Sequence, residues 1–261
     1  MSVKLIEVTD HDAVRLLAMT GQHSGNALST ELEGALLGEV LAAERDEKIK
    51  VIVLCGTASH FSVGADLNEV SRLNPSAAIA SGWQNGLDQL RRSSKPIIAA
   101  VRGHAVGGGF ELALCCDLIV AALDAHFALP ETGIGVIAGQ GGSQRLIAMC
   151  GRAIAADLIL TGRALSGQEA YDRGVVARVT RPECVVDEVL SVGQAIAARS
   201  AIAVAFAREV IFEASEGPLR QSLRIERLLA ALVLDTPEAH RRIGEFLSRR
   251  MTVSPKAKEV M

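Results

Sequence analysis

The run Ala100-Val-Arg-Gly-His-Ala-Val-Gly-Gly-Gly-Phe-Glu-Leu112 carries an apolar strand pattern directly into three consecutive glycines and then a carboxylate. Glycine loses more conformational freedom on folding than any other residue, so three together before an apolar, helix-like run mark main chain that something must approach closely. The first N–H groups of a helix have no partner inside it and favour a negative ligand. If that ligand is a carbonyl oxygen gaining charge, the glycine N–H groups form half of an oxyanion hole, with Glu111 within a turn of it.

The segments around this run narrow the fold class to α/β. Val51-Ile-Val-Leu-Cys55, Pro96-Ile-Ile-Ala-Ala-Val101 and Leu118-Ile-Val-Ala-Ala122 are continuous apolar runs, the pattern of parallel strands covered on both faces. A content of 49% hydrophobic residues with only 3% aromatics means that Ala, Val, Leu and Ile build the core, as in layered α/β proteins. Alternation in Leu5–Val8 and Val14–Met19 predicts an opening hairpin around Asp10–Asp12, and Ser29 caps a helical pattern to Glu44. Strand, irregular turn and helix then recur, which suggests stacked turns of a spiral. From about Gly151 the pattern becomes consecutive helices: Ala153–Leu160, Gly167–Arg173 under a Ser166 N-cap, Pro182–Ala198, Ile202–Ala214, Leu219–Leu234 and Pro237–Arg250. A chain of 261 residues suits one large domain, or one with a helical tail.

A second small-residue turn, His60-Phe-Ser-Val-Gly-Ala-Asp-Leu67, follows the Val51–Cys55 strand in the same layout as the triple glycine. Two such turns at the carboxyl ends of neighbouring strands would converge two N–H groups on one oxygen. Glu131 opens an apolar, glycine-rich loop in which a carboxylate has little structural purpose. The spacing Gly133-x-Gly135-x-x-x-Gly139 lacks the preceding buried strand of a dinucleotide loop. No GxSxG, HExxH or Walker A sequence is present, and Ser143 lacks the context of an activated nucleophile. His104 reads as a structural or ligand-lining histidine, and Trp83 and Phe110 as core or pocket wall. The five cysteines have no metal-site or disulfide spacing and read as reduced, mostly buried small hydrophobes. A net charge of −3 with no basic stripe argues against nucleic acid. With no leader and no long uncharged apolar run, the expectation is a cytoplasmic protein that uses neither a membrane nor a metal.

Together these segments resemble the crotonase family, the enoyl-CoA hydratase/isomerase superfamily. The resemblance rests on Asn26-Ala-Leu-Ser29, Phe61-Ser-Val-Gly-Ala-Asp-Leu67, Lys95–Leu112, Cys116-Asp-Leu-Ile, Pro130-Glu131, Gly141-Gly-Ser-Gln-Arg-Leu146 and Leu160-Thr-Gly-Arg-Ala-Leu-Ser166, in this order across nearly the whole chain. It implies a spiral of ββα units over residues 1–195, a C-terminal helical trimerisation region over 196–261, and a homotrimer or homohexamer. It also implies an acyl-CoA thioester as substrate, with coenzyme A as part of that substrate and no tightly bound cofactor. The matching positions make the Ala65 and Gly108 N–H groups the oxyanion hole, Glu111 and Glu131 the two catalytic carboxylates, and the Gly139 N–H a group that places water. They make His23, Ala27, Asp66, Leu67, Phe246 and Arg249, together with Ala65 and Gly108, contacts of the acyl-CoA; Phe246 and Arg249 would reach the CoA of an adjacent subunit.

The implied reaction is the reversible addition of water to a 2-enoyl-CoA, in which two carboxylates share one water while the oxyanion hole holds the enolate-like state. The nearest alternatives are a double-bond isomerase, which needs one base, and another acyl-CoA lyase or hydrolase of the family. A non-catalytic acyl-CoA-binding protein is the reading from a different class. Departures from the family pattern fall at Gly21-Gln-His-Ser-Gly25, where relatives often have Arg-Pro and a lysine, and at Ala138, where many have proline. The acyl pocket is expected around Asn68–Trp83.

Overall fold

The computed structural model describes residues 4–21, 25–81 and 86–253. The chain divides into two compact units, Met1–Ala197 and Ala198–Met261. The first contains two sheets. Strands β1 (Ile6–His11), β2 (Val14–Met19), β3 (Val51–Cys55), β5 (Ile97–Val101), β7 (Leu118–Ala122) and β10 (Arg178–Thr180) form one, in that order. Strands β4 (His60–Ser62), β6 (His104–Val106), β8 (His126–Ala128) and β9 (Leu165–Ser166) form the other. Apart from the β1–β2 hairpin and the β8–β9 pair, neighbouring strands run parallel.

Each long strand continues into a short one and then into helix, so that β3–β4, β5–β6 and β7–β8 are three turns of an α/β spiral. Every residue of β3 and β5 is buried, as their unbroken apolar sequences require. Helix α1 (Thr30–Arg45) starts where Ser29 accepts the Leu32 N–H and turns Leu32, Leu36, Val40 and Ala43 to the core. After β4 come α2 (Leu67–Val70), α3 (Pro75–Ser81) and α4 (Gly86–Arg91). Helix α5 (Gly108–Cys115) is buried along its whole length, with Phe110 against Phe127 at 5.1 Å between ring centroids.

The helix expected over Ala153–Leu160 begins earlier, at Gly142, and runs as α6 to Thr161 with a break at Gly151. The glycine-rich sequence before it masked the start. The capping box of Ser166 and Glu169 opens α7 (Gly167–Asp172) as expected. Pro182–Cys184 forms a 3₁₀ turn before α8 (Val185–Ala197), which buries Val185, Val189 and Val192 on the large sheet. The short strands β4, β6 and β8 escaped the residue patterns, because three residues are too few to show a period. All five cysteines are free; Cys55, Cys115 and Cys116 are buried, while Cys150 and Cys184 are partly exposed. Burial pushes the Cys55 thiol up to about 11 and that of Cys115 to about 12, which leaves both protonated and unreactive.

The second unit comprises α9 (Ala201–Glu216), α10 (Leu219–Leu234) and α11 (Pro237–Val253). Ser222 on α10 donates to the Glu213 carbonyl at 2.8 Å, joining it to α9. Glu238 accepts from Ser200 at 2.7 Å and from Arg242 at 2.8 Å. Leu219, Leu223, Leu228, Leu232 and Leu234 of α10 remain exposed in the single chain.

One tight junction of the spiral is Gly109, where a Cβ would press into the Ser62 carbonyl and lie 2.7 Å from the Ser62 Cβ. The obstacle is backbone on one side and a buried strand on the other. Gly109→Ala is therefore expected to destabilise the protein by about 1–3 kcal/mol, read as a lower urea midpoint, whereas Gly34→Ala on open surface should not.

Candidate active site

Two turns meet inside the first unit. Gly107, at φ +56°, sends the chain from β6 into α5, and Gly64, at φ +99°, ends β4. Both angles favour glycine, because a Cβ there meets the following carbonyl. The turns touch: a Cβ on Gly64 would lie 3.1 Å from the Gly108 nitrogen, and one on Gly108 would lie 3.3 Å from the Ala65 nitrogen. The Leu28 N–H donates to the Gly64 carbonyl at 2.7 Å and the Asp66 N–H to the Leu28 carbonyl at 3.2 Å. Alternate groups of an extended strand point to opposite sides, so the intervening Ala65 N–H faces away from Leu28. Gly108 is the first residue of α5, and its N–H has no partner in the helix. Among the described residues neither the Ala65 nor the Gly108 N–H is spent on another group.

These turns border a cavity of about 680 Å³. Ala27, Ala65, Asp66, Leu67 and Gly108 line it, as do Glu111, Glu131 and Gly139, so all eight of these sequence-selected residues converge. His23 lies outside the described residues. Phe246 and Arg249 belong to α11 in the second unit, where Phe246 is exposed.

Glu111 is 3% exposed. Its Oε1 accepts the Gln140 N–H at 2.7 Å and the Gly142 N–H at 2.8 Å. A Cβ at position 142 would lie 2.7 Å from the Glu111 Cγ, so the start of α6 is pressed against the carboxylate. The segment is clamped in turn: Arg145 donates to the Gln140 carbonyl at 2.5 Å and pairs with Asp88 at 3.2 Å. The Gln140 amide reaches Glu33 at 3.4 Å, and burial raises the Glu33 carboxyl above its usual range.

Glu131 opens a single 3₁₀ turn, Glu131–Ile134. Its Oε1 comes within 3.2 Å of the position a Gly107 Cβ would take, so this glycine makes room for the carboxylate. Its Oε2 is buried with no partner among the described residues. Burial first, and then the charge of Glu111, hold the Glu131 carboxyl above the ordinary carboxylate range. One carboxylate is thus fixed as an acceptor by two N–H groups, while the other is poised to keep a proton.

The expected acyl wall at Asn68–Trp83 is present in part: Leu67, Asn68 and Val70 line the cavity, whereas Trp83 is outside the described residues. Ile134, Val136 and Ile137 form the other wall, which had read only as an apolar loop. His104 does not line the cavity; its ring stacks on His126 at 5.0 Å and lies 5.5 Å from His60, in a ladder across the small sheet. Burial and its two neighbours hold the His104 imidazole below its ordinary value. Asn26 had no role assigned from sequence. Fully buried at φ +56°, it accepts the Gly21 N–H at 2.7 Å and donates to the Phe61 carbonyl at 3.0 Å, while its own carbonyl accepts from Ser62 at 2.7 Å. It ties the Ala27 segment to the strand that delivers Ala65. Its one signal was asparagine's tolerance of positive φ.

Arg145→Ala removes the clamp on the Gln140 carbonyl. Hydrogen exchange at the Gln140 and Gly142 amides is expected to quicken by about tenfold, a lost hydrogen bond's worth, with the amides of β5 unchanged.

A family model described as enoyl-CoA hydratase/isomerase matches residues 9–253. The chain is 35% identical over 243 residues to the 2,3-dehydroadipyl-CoA hydratase of Escherichia coli (strain K12), across 93% of this chain and 95% of that protein. It is 36% identical over 250 residues to a probable enoyl-CoA hydratase of Rhizobium meliloti (strain 1021), across 96% and 97%. The crystal structure of an enoyl-CoA hydratase subunit I from Geobacillus kaustophilus HTA426 matches with a TM-score of 0.91 at 34% identity, covering 94% of this chain and 95% of that one. With the spiral, the paired turns and a family model spanning most of its length, the chain belongs to the enoyl-CoA hydratase/isomerase family.

Proposed function

We propose that the protein is an enoyl-CoA hydratase that adds water reversibly across the double bond of a 2-enoyl-CoA. The observation that carries this reading is the presence of two carboxylates, Glu111 and Glu131, in one cavity with the unspent N–H groups of Ala65 and Gly108. The thioester carbonyl accepts from those two N–H groups, which stabilise the enolate-like state; a single well-aimed donor contributes about 3 kcal/mol. Glu111, held by two backbone N–H groups, orients and deprotonates the water that attacks the β-carbon. Glu131, whose carboxyl holds its proton above the usual range, delivers it to the α-carbon. The Gly139 N–H helps to place the water. Coenzyme A enters and leaves as part of the substrate, contacted by Ala27, Asp66, Leu67 and His23, and by Phe246 and Arg249 of an adjacent subunit. The exposed leucines of α10 support assembly through the helical region 196–261 as a trimer or hexamer. The free cysteines suit the reducing cytoplasm.

Glu111→Ala and Glu131→Ala should each lower hydration by about 10²–10⁴-fold, read as slower loss of the conjugated enoyl-thioester absorbance. Activity lost only in Glu131→Ala would overturn this reading in favour of a one-base isomerase. Binding of the ester by the wild-type protein with no absorbance change would indicate a carrier. The raised Glu131 carboxyl sets a sign for pH: hydration needs its protonated form and falls as pH rises through its pKa, whereas dehydration needs the carboxylate and falls as pH drops through it. Profiles that do not oppose one another on that limb would remove Glu131 from the proton-transfer role.

A further inference from the structure

Gln140 is held at three points, each by a different element: its N–H donates to Glu111 of α5 at 2.7 Å, its carbonyl accepts from Arg145 of α6 at 2.5 Å, and its side-chain amide reaches Glu33 of α1 at 3.4 Å. Glu33 stands in the first turn of α1, where an acid ordinarily faces water and complements the helix dipole, as the exposed Glu31 does. Glu33 turns inward instead. It is half-buried, and α4 approaches its second oxygen so closely that a Cβ on Gly86 would lie 2.7 Å from Oε2. Gln140 is 6% exposed, and its side-chain Oε1 is buried with no partner among the described residues.

From this geometry, and resting on the hydratase reading, we infer that Glu33 is a positioning residue for Glu111: paired with the Gln140 carboxamide, it fixes the backbone N–H on which the Glu111 carboxylate rests. A carboxylic acid offers an O–H and a carbonyl oxygen, which match the acceptor and donor ends of a carboxamide. A carboxylate only accepts, and it would leave the buried Gln140 Oε1 without a donor. The surroundings favour the acid. Burial raises the Glu33 carboxyl most, the Gln140 amide opposes it, and the charge of Glu69 on α2 adds to the rise. Glu69 is itself fixed beside α1, where it accepts from the Thr30 N–H at 3.0 Å and the Thr30 hydroxyl at 2.8 Å. On α4, Asp88 is paired with Arg145 at 3.2 Å. The Glu33–Gln140 pair thus forms a neutral strut from α1 to the chain that carries the donors of Glu111.

The test compares Glu33→Ala with Glu33→Gln, whose amide replaces both ends of the acid. Exchange at the Gln140 amide is expected to quicken about tenfold in Glu33→Ala, a lost hydrogen bond's worth, and to return to within about twofold of wild type in Glu33→Gln, with the β5 amides unchanged in both. Hydration of a 2-enoyl-CoA should follow: kcat about tenfold lower in Glu33→Ala with KM within about twofold, most of the loss recovered in Glu33→Gln, and no further loss when Glu33→Ala is added to Gln140→Ala. In the wild-type protein the carbon-13 resonance of the Glu33 carboxyl is expected to titrate above the ordinary carboxylate range. A kcat loss that Glu33→Gln does not recover, that appears in KM instead, or that multiplies with Gln140→Ala overturns the inference, as does unchanged exchange at Gln140 or a Glu33 midpoint at or below the ordinary value. If the wild-type protein hydrates no enoyl ester, the hydratase reading fails. Exchange then decides alone whether Glu33 holds the Gln140 N–H: quickening in Glu33→Ala that Glu33→Gln reverses supports it, and any other pattern overturns it.

Discussion

The contact between the Gly64–Ala65 turn and the start of α5 is the constraint on which the rest of the site depends. Main chain meets main chain there without an intervening side chain, so that a Cβ on either Gly64 or Gly108 would stand 3.1–3.3 Å from the other turn's nitrogen. Such an approach is possible only because successive ββα turns of the spiral stack in register, β4 beside β6 and β6 beside β8. Gly109 lets α5 sit against Ser62, Gly107 leaves space for the Glu131 carboxylate, and Asn26 fastens the preceding loop to the same strand. Two N–H groups from segments distant in sequence are thereby left facing one space.

The two glutamates gain different characters from this geometry, although they are chemically identical. Glu111 lies on a buried helix and receives two N–H groups from the chain that leads into α6. Glu131 lies at the edge of a short 3₁₀ turn, half-buried, with one oxygen unpartnered. At Glu131 burial outweighs the one backbone N–H that its carboxylate receives and favours a bound proton, whereas the two fixed donors at Glu111 define where an acceptor stands. Two identical side chains in one cavity thus stand in different environments, one fixed by donors and one buried with an oxygen left unpartnered.

Much of the fold was legible because long apolar strands and capped helices leave periodic traces. Val51–Cys55 and Leu118–Ala122 match β3 and β7, and Ser29 and Ser166 cap the helices they were expected to cap. The start of α6 was hidden because Gly141, Gly142 and Gly151 read as breakers, yet Gly142 is required where the helix presses on Glu111. The wall formed by Ile134, Val136 and Ile137 was equally hidden, since an apolar loop has no period to say which surface it covers. Asn26 offered only asparagine's tolerance of positive φ, and Gln140 gave no sign of its part. Both act through partners far away in the chain, Phe61 in one case and Glu111 and Glu33 in the other.

The sequence by itself determined the inventory: bare backbone beside an acid at Gly107–Glu111, a second small-residue turn at Gly64–Ala65, and a second acid at Glu131. Those are local choices, set by which residues tolerate positive φ and which can be buried next to main chain. Only the tertiary structure decided that they share one cavity, and that Glu111 is held while Glu131 is left without a partner for one oxygen. Convergence and burial are properties of segments brought together across the chain, and they exist only once the turns of the spiral are stacked.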